Sequence, residues 1–478
     1  MNKKTILGAG IVIALALAPI GIKNMADATI DLEKSKLDKK GLLLSIDSSE
    51  GYITTTRDFT LTIKDEKKFK EYFKNIILAK YPAYEPFITG FTKNDTNKFD
   101  EFLKGIVFKG NIENTNINPF SDIKAYTYLN KFSDEIMSKI KNDEEGSKII
   151  LPLLEKETLA FNMTFDRKTK LKTLSLKDIN ENIKRTFNSG KNLDGTFQIL
   201  GYKIVNNSSE KMIIADAKLD KISMNVKGEV SASINNIKSN ISYENQFLNN
   251  GKTEIGSINF NFDNKVINLE NTKLSSSGFI TNEIYSADTK ISTENFKLAN
   301  GSNKTVFDNL DLYLDLNDLD YKNLEKLNKA YMDYESASIQ SMYLPEDEKN
   351  NKMVAALKPL VTEVNSLLNN GLSLKLDANL LGLKDEKINL KNVKLDVDAR
   401  LGKNDLNIES LNKSTLLTLL NVKANLQMLE EDYINLSAII PPQFANLISM
   451  YAKKENDKVL FNLDLKKGKI EVNGQEVN

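Results

Sequence analysis

Asn309-Leu310-Asp311-Leu312-Tyr313-Leu314-Asp315-Leu316-Asn317 alternates leucine with polar residues without a break. In a strand, successive side chains point to opposite faces, so the four leucines share one face and the acids and Tyr313 share the other. One buried and one wet face is the mark of antiparallel sheet. The rhythm recurs outward from this stretch. Val393, Leu395, Val397, Ala399 and Leu401 alternate with Lys394, Asp396, Asp398 and Arg400, and Leu159, Phe161, Met163 and Phe165 repeat the pattern, as do Ile258, Phe260 and Phe262. Val459, Phe461, Leu463 and Leu465 lead into Lys466-Lys467-Gly468, with Ile470 and Val472 beyond, which predicts a hairpin. Strands are expected over most of 159–317 and 371–478.

Three regions carry helical spacing instead. The first, about 65–156, is mixed: Phe69, Tyr72, Phe73, Ile76 and Ile77 form a stripe, and Phe132, Ile136 and Ile140 form another. In the second, Leu324, Leu327, Tyr331 and Tyr334 precede Pro345, which stops that helix, and Met353, Leu357, Leu360, Val364 and Leu367 continue the stripe across Pro359. Asn369-Asn370-Gly371 is a C-cap signal. The third helix follows Pro441-Pro442 with Phe444, Leu447, Ile448 and Tyr451. These stripes are expected to be core facing the sheet.

Composition excludes much chemistry. The 478 residues contain no Cys, His or Trp. Thiolate catalysis, iron–sulfur clusters, imidazole metal ligation and a Ser-His-Asp triad therefore all fall away. Lys+Arg and Asp+Glu number 65 each, which argues against an electrostatic nucleic-acid binder. Only Arg57, Arg167, Arg185 and Arg400 are arginines, so a phosphate clamp built from several arginines is not expected.

Ser-x-x-Lys occurs at Ser121/Lys124, Ser138/Lys141, Ser208/Lys211 and Ser410/Lys413, no more often than the abundance of the two residues produces by chance. Asp311, Asp315, Asp318 and Asp320 suggest calcium, but an EF-hand loop from Asp315 would meet Leu319, Asp320 and Lys326 where it needs a ligand, Gly and Glu. These acids read as the wet face of a strand followed by a helix N-terminus. No Gly-rich phosphate loop occurs. No catalytic, cofactor-binding or metal residue is assigned.

At the N-terminus, Lys3 and Lys4 precede an uncharged run from Ile6 to Ile22. As a helix it would be about 25 Å long, the short end of a bilayer span. Pro19 directly after Ala16-Leu17-Ala18 disfavours cleavage there, so an uncleaved signal anchor is expected.

Gly41-Leu42-Leu43-Leu44-Ser45-Ile46, Glu50-Gly51-Tyr52-Ile53-Thr54-Thr55 and Phe59-Thr60-Leu61-Thr62-Ile63 follow that run, and the chain closes with Gly468-Lys469-Ile470-Glu471-Val472-Asn473-Gly474-Gln475-Glu476-Val477. Both segments resemble the YdgA family of bacterial envelope proteins, which carries a domain-of-unknown-function label. The family has a similar anchor, a strand pair after it, a helical insert followed by more strands like 320–400 here, and a closing strand ending in an Asn-Gly-Gln turn. It often has Arg-Gly at the first turn, where this chain has Glu50-Gly51, and 100–250 is similar only in rhythm. The resemblance implies an envelope role and supplies no catalytic residues. The Asn473-Gly474 pair itself is explained by a tight turn.

The expected fold is α+β and strand-rich: a large curved antiparallel sheet with packed helices, preceded by one N-terminal transmembrane helix. The expected divisions are a cytoplasmic tail at 1–5, a signal anchor at 6–22, a mixed region at 23–158, a β-rich region at 159–317, a helical pair at 318–371 and a β-rich region with one helix at 372–478. The helical segments, ~100 residues, are few to cover roughly 250 residues of strand, which leaves self-closure or an open apolar groove. The expected function is a non-enzymatic protein of the bacterial inner membrane, single-pass, with its body in the periplasm, acting as an interaction or lipid-contacting module. A chaperone-like factor for secreted or outer-membrane proteins is the alternative, and a hydrolase the third. Expected partners are the membrane and a lipid or envelope-protein client, with no nucleic acid and no cofactor. A homo-oligomer is compatible with the sequence.

Overall fold

The computed structural model describes residues 34–80, 103–115, 121–166, 170–186, 192–209, 212–245, 247–341, 344–405, 407 and 413–477. The expected tail and anchor at 1–22 lie outside them. Among the described residues no helix is long and apolar enough to cross a membrane. The chain divides into two compact units, 1–207 with 215–222, and 208–214 with 223–478. This division does not coincide with the boundaries expected at 158, 317 and 371.

The first unit holds β1 (Leu42–Glu50), β2 (Thr54–Ile63), α1 (Glu66–Lys80), β3 (Val107–Thr115), β4 (Ile123–Lys131), α2 (Asp134–Asn142), α3 (Glu144–Glu155), β5 (Ala160–Phe165), β6 (Leu171–Leu176), β7 (Ile179–Thr186), β8 (Asn192–Leu200) and β9 (Lys203–Asn206). Antiparallel pairing runs β1–β2–β3–β4–β5–β6–β9, and β7 and β8 form a hairpin. β10 (Ile213–Val226) pairs with β9 through Ala215–Lys218. Alternation does here what it predicts. Leu42, Leu44, Phe59, Leu61, Ile63, Phe108, Ile123, Met163 and Phe165 interlock in a sealed core, with Phe69 of α1 and Leu37, which precedes β1, packed into it. Ser133 caps α2, its hydroxyl accepting from the Ile136 N–H at 3.4 Å.

The second unit is a meander of long strands: β11 (Val230–Tyr243), β12 (Asn249–Phe262), β13 (Lys265–Thr281), β14 (Ile284–Asn300), β15 (Asn303–Asp320), β16 (Leu372–Lys384), β17 (Asn389–Leu401), β18 (Leu420–Leu429), β19 (Lys453–Glu455), β20 (Lys458–Lys466), β21 (Lys469–Val472) and β22 (Gln475–Glu476). From β11 to β18 each strand pairs antiparallel with the next. β20 pairs with β18 on one side and with β19 and β21 on the other. The strand-rich, antiparallel character read from the alternation is therefore what the fold shows. Lys467-Gly468 and Asn473-Gly474 make the two expected tight turns, all four residues at positive φ.

A line of left-handed residues crosses this sheet. Asn236 on β11 and Asn271 on β13 flank Gly256 of β12, and Asn295 on β14 and Gly382 on β16 flank Asp308 of β15. A Cβ at Gly256 would lie 2.9 Å from the Asn236 Cβ, and one at Gly382 only 2.0 Å from an Asp308 carboxylate oxygen. Along this line the apolar alternation changes phase, from Leu310 to Phe307 on β15 and from Ile255 to Ile258 on β12. The β13–β14 register shifts at the same place, as a bulge that re-aims side chains does.

The helices require two corrections. Among the described residues, the region 372–478 holds three helices where one was expected: α6 (Lys413–Leu419), α7 (Glu430–Ser437) and α8 (Pro442–Tyr451). α6 and α7 abut strands directly and are too short to show a helical period in sequence. The helical pair, α4 (Tyr321–Ser341) and α5 (Glu346–Asn369), packs chiefly on itself and not on the sheet. Ala330 and Ala337, two turns apart on α4, are buried, while Tyr331, Val354 and Leu357 are exposed. Two amphipathic helices joined by a short connection can satisfy each other's stripes. α5 runs straight through Pro359, and Pro345 is its N-cap residue. Gly371, at φ +86°, ends it with its N–H on the Leu368 carbonyl.

Candidate functional site

Directly paired residues in an antiparallel sheet point to the same face. The register of the second unit therefore joins separate strand patterns into continuous rows. One row runs Ile291, Leu312, Ala378, Leu395, Leu426, Phe461 from β14 to β20. The next runs Thr289, Leu314, Leu376, Val397, Ala424, Leu463. Two more rows flank them: Thr293, Leu310, Leu380, Val393, Met428, Val459 and Ala287, Leu316, Leu374, Ala399, Val422, Leu465.

The band is sealed only at its margins. α7 packs on β17, β18 and β20, its Tyr433 ring 6.0 Å from that of Phe461. Leu390, Met428 and Val459 are buried in this corner, and Leu401 and Leu465 are buried at the opposite ends of their strands. Between these margins Leu310, Leu312, Leu376, Leu395 and Val397 are half-buried, and Leu314 is 38% exposed. Next to Ile291 in the register, Leu274 of β13 is 43% exposed. A leucine gains about 1.5–3 kcal/mol on full burial, so each of these partly exposed residues leaves at most about 1 kcal/mol unrealised. Spread over several strands, this makes a surface with a substantial tendency to take up apolar matter. The contrast with the sealed core of the first unit is direct, since both arise from the same alternation.

The opposite face is polar in matching rows. Glu254, Lys273, Ser292, Asp311, Asn379 and Lys394 form one, and Lys252, Ser275, Lys290, Tyr313, Asp377 and Asp396 another. Asp377 and Asp396 stand directly opposite each other. Desolvation first, and then the Asp396 charge, push the Asp377 carboxyl above its ordinary range. Desolvation also raises Tyr313.

The four aspartates that suggest calcium are separated by these contacts. Asp311 accepts from Asn309 at 2.7 Å, Asp318 from the Ser373 hydroxyl at 2.6 Å, and Asp320 from the Asn323 N–H at 2.9 Å in the first turn of α4. Among the described residues no group of three or more acidic side chains is placed to hold a metal. Of the Ser-x-x-Lys pairs, Ser138 and Lys141 lie exposed on α2, and the Ser208 hydroxyl is occupied by the Ile214 backbone. Lys211 and Ser410 lie outside the described residues.

What sequence reading misses is the fully buried Asp432 on α7. Its carboxylate accepts the backbone N–H groups of Lys391 and Asn392 at 2.7 and 2.8 Å, fastening α7 to β17. Nothing in the local run Glu430-Glu431-Asp432 distinguishes this acid from its neighbours.

Residues 152–478 match the protein family described as "Bacterial protein of unknown function (DUF945)". No curated protein and no solved structure matches the chain.

Proposed function

We propose that this chain, which belongs to the DUF945 family of bacterial proteins, is a non-enzymatic envelope protein of YdgA type. It is held in the inner membrane by Ile6–Ile22, with its body in the periplasm. In this reading the apolar rows of β14–β20 form a concave surface that contacts acyl chains. The observation that carries the proposal is the half-exposed band itself, continuous across strands and open between Met428 and Leu465. Shielding an acyl chain needs apolar surface and neither a titrating group nor a metal, which suits a chain without His or Cys.

The test is mass spectrometry of lipids retained by the full chain after mild detergent extraction. Acyl lipid at a fixed stoichiometry, lost from Leu312→Glu and Leu395→Glu variants, is the expected result. Lipid-free protein that instead retains apolar polypeptide segments would transfer the same face to the chaperone-like role and overturn the lipid reading.

A further inference from the structure

The helical hairpin carries a second apolar surface, and it grows from the strands that carry the first. α4 leaves β15 without a loop, Asp320 ending the strand and Tyr321 opening the helix, and α5 returns to β16 through Asn370 and Gly371. β15 and β16 are paired neighbours within the half-exposed band. The two helices meet along one side of each, where Ala330, Ala337 and Leu367 are buried. Another side is left over. Val354, Leu357 and Val361 follow one another at helical spacing on α5, and Leu324 and Tyr331 lie two turns apart on α4. At ~100° per residue each stripe lies roughly a third of a turn from the buried line, on the same side of the antiparallel pair. Tyr331, Val354 and Leu357 are 47%, 67% and 44% exposed, while Lys322, Lys326 and Lys329 occupy the opposite side of α4.

The two surfaces match in length. Measured from the shared strand ends, Tyr331 lies ~15 Å along α4 and Leu357 ~18 Å along α5. At ~3.3 Å per residue, the same distances reach the level of Leu314 and Leu316 on β15 and of Ala378 on β16. A hairpin turned back along its own strands would therefore set Tyr331 over the open leucines and Leu357 over the smallest side chain of its row. Both junctions hold a left-handed residue, Asp318 at φ +65° two residues before the end of β15 and Gly371 at φ +86° before β16. Element ends of this kind are where a hinge absorbs its rotation. The base is fastened by contacts that can open. Lys322 pairs with Glu283 at 2.8 Å with both side chains well exposed, and such pairs are weak.

We propose that the α4–α5 hairpin is a lid, which folds down on β15–β17 with Tyr331, Val354 and Leu357 inward and closes over an acyl chain lying on the band. The acyl occupant rests on the function proposed above; the closure does not. The chain has no Cys, so spin labels attach only at introduced positions. Labels at Glu348→Cys near the hairpin tip and Lys394→Cys on β17 report the motion by pulsed electron paramagnetic resonance. The full chain is measured in lipid-free detergent and in phospholipid nanodiscs. A population shorter by ~15 Å or more, roughly half the length of α5, is expected in at least one of them. It should fall about tenfold or more in Val354→Glu/Leu357→Glu, which closure would force to bury charge. Both positions are exposed when the hairpin stands open, so that variant should unfold at the parent's temperature. A single long distance in both conditions overturns the lid; lipid retained at fixed stoichiometry beside it would leave the acyl reading intact. A short population in protein that retains no lipid supports the lid and removes the acyl occupant. A long distance together with a two-chain mass in light scattering, lost in Leu357→Glu, overturns the lid and gives the face to a second copy.

Discussion

The Asp432 carboxylate, fully buried on α7, receives the backbone N–H of Asn392 at 2.8 Å, and that of the adjacent Lys391 at 2.7 Å. A short helix is thereby held against a strand from a different part of the chain. Beside this contact the apolar band ends, with Leu390, Met428 and Val459 buried. Charge-assisted bonds to backbone donors are among the stronger kind, and removing the acceptor leaves two buried N–H groups unsatisfied. Asp432→Ala should cost about 3 kcal/mol in urea unfolding, and Asp432→Asn less, since its one oxygen still accepts. An unchanged midpoint for Asp432→Ala would show that α7 is not fastened this way.

The two units should respond differently to the same kind of truncation. Phe59 lies in the sealed core of the first unit, so Phe59→Ala should cost about 3–5 kcal/mol. Leu314 is 38% exposed, and Leu314→Ala should cost ~1 kcal/mol or less. Chemical denaturation of both variants checks the contrast. A large loss at Leu314 would mean that its face is covered.

Asp377 and Asp396 oppose each other across β16 and β17, and the folded state raises the Asp377 carboxyl. An acid whose folded pKa is raised binds its proton more tightly when folded. Stability is therefore greatest below the ordinary carboxylate range and declines as pH rises through the folded pKa. Asp377→Asn should unfold at higher temperature than the parent at neutral pH, with the difference vanishing in acid. A variant less stable at neutral pH would contradict this.

Asn473 does more than turn the chain. Its side chain donates to the carbonyls of Tyr451 at 2.6 Å and Leu460 at 2.8 Å, and accepts from the Asn462 N–H at 2.9 Å. Asn473→Ala should lose these bonds together with the left-handed preference, about 2 kcal/mol in all. Hydrogen exchange should then speed up at β20 and β21. Replacement by Gly, which restores only the turn, should recover only part of the loss.

If Ile6–Ile22 is an uncleaved anchor, protein from membranes should begin at or next to Met1 on N-terminal sequencing. A start near Pro19 or Thr29 in the soluble fraction would end that reading.

What the sequence determined by itself is local and periodic. The leucines at 310–316 and the apolar residues at 393–401 announce strands because side-chain direction has period two. Lys467-Gly468 and Asn473-Gly474 announce turns because those residues tolerate positive φ, and Gly371 ends α5 for the same reason. What only the tertiary structure decided is which patterns stand side by side and what covers them. Identical alternation gives Phe59 a sealed environment and Leu314 a half-open one, because burial depends on the partner layer and not on the strand that offers the face. α4 packs chiefly on α5, with Ala330 and Ala337 buried and Tyr331 of the expected stripe left exposed. Asp432 joins Asn392 across forty positions, and Ser275 comes to lie between Lys252 and Lys290 through register alone. Such pairings depend on long-range geometry, which no local run of residues encodes.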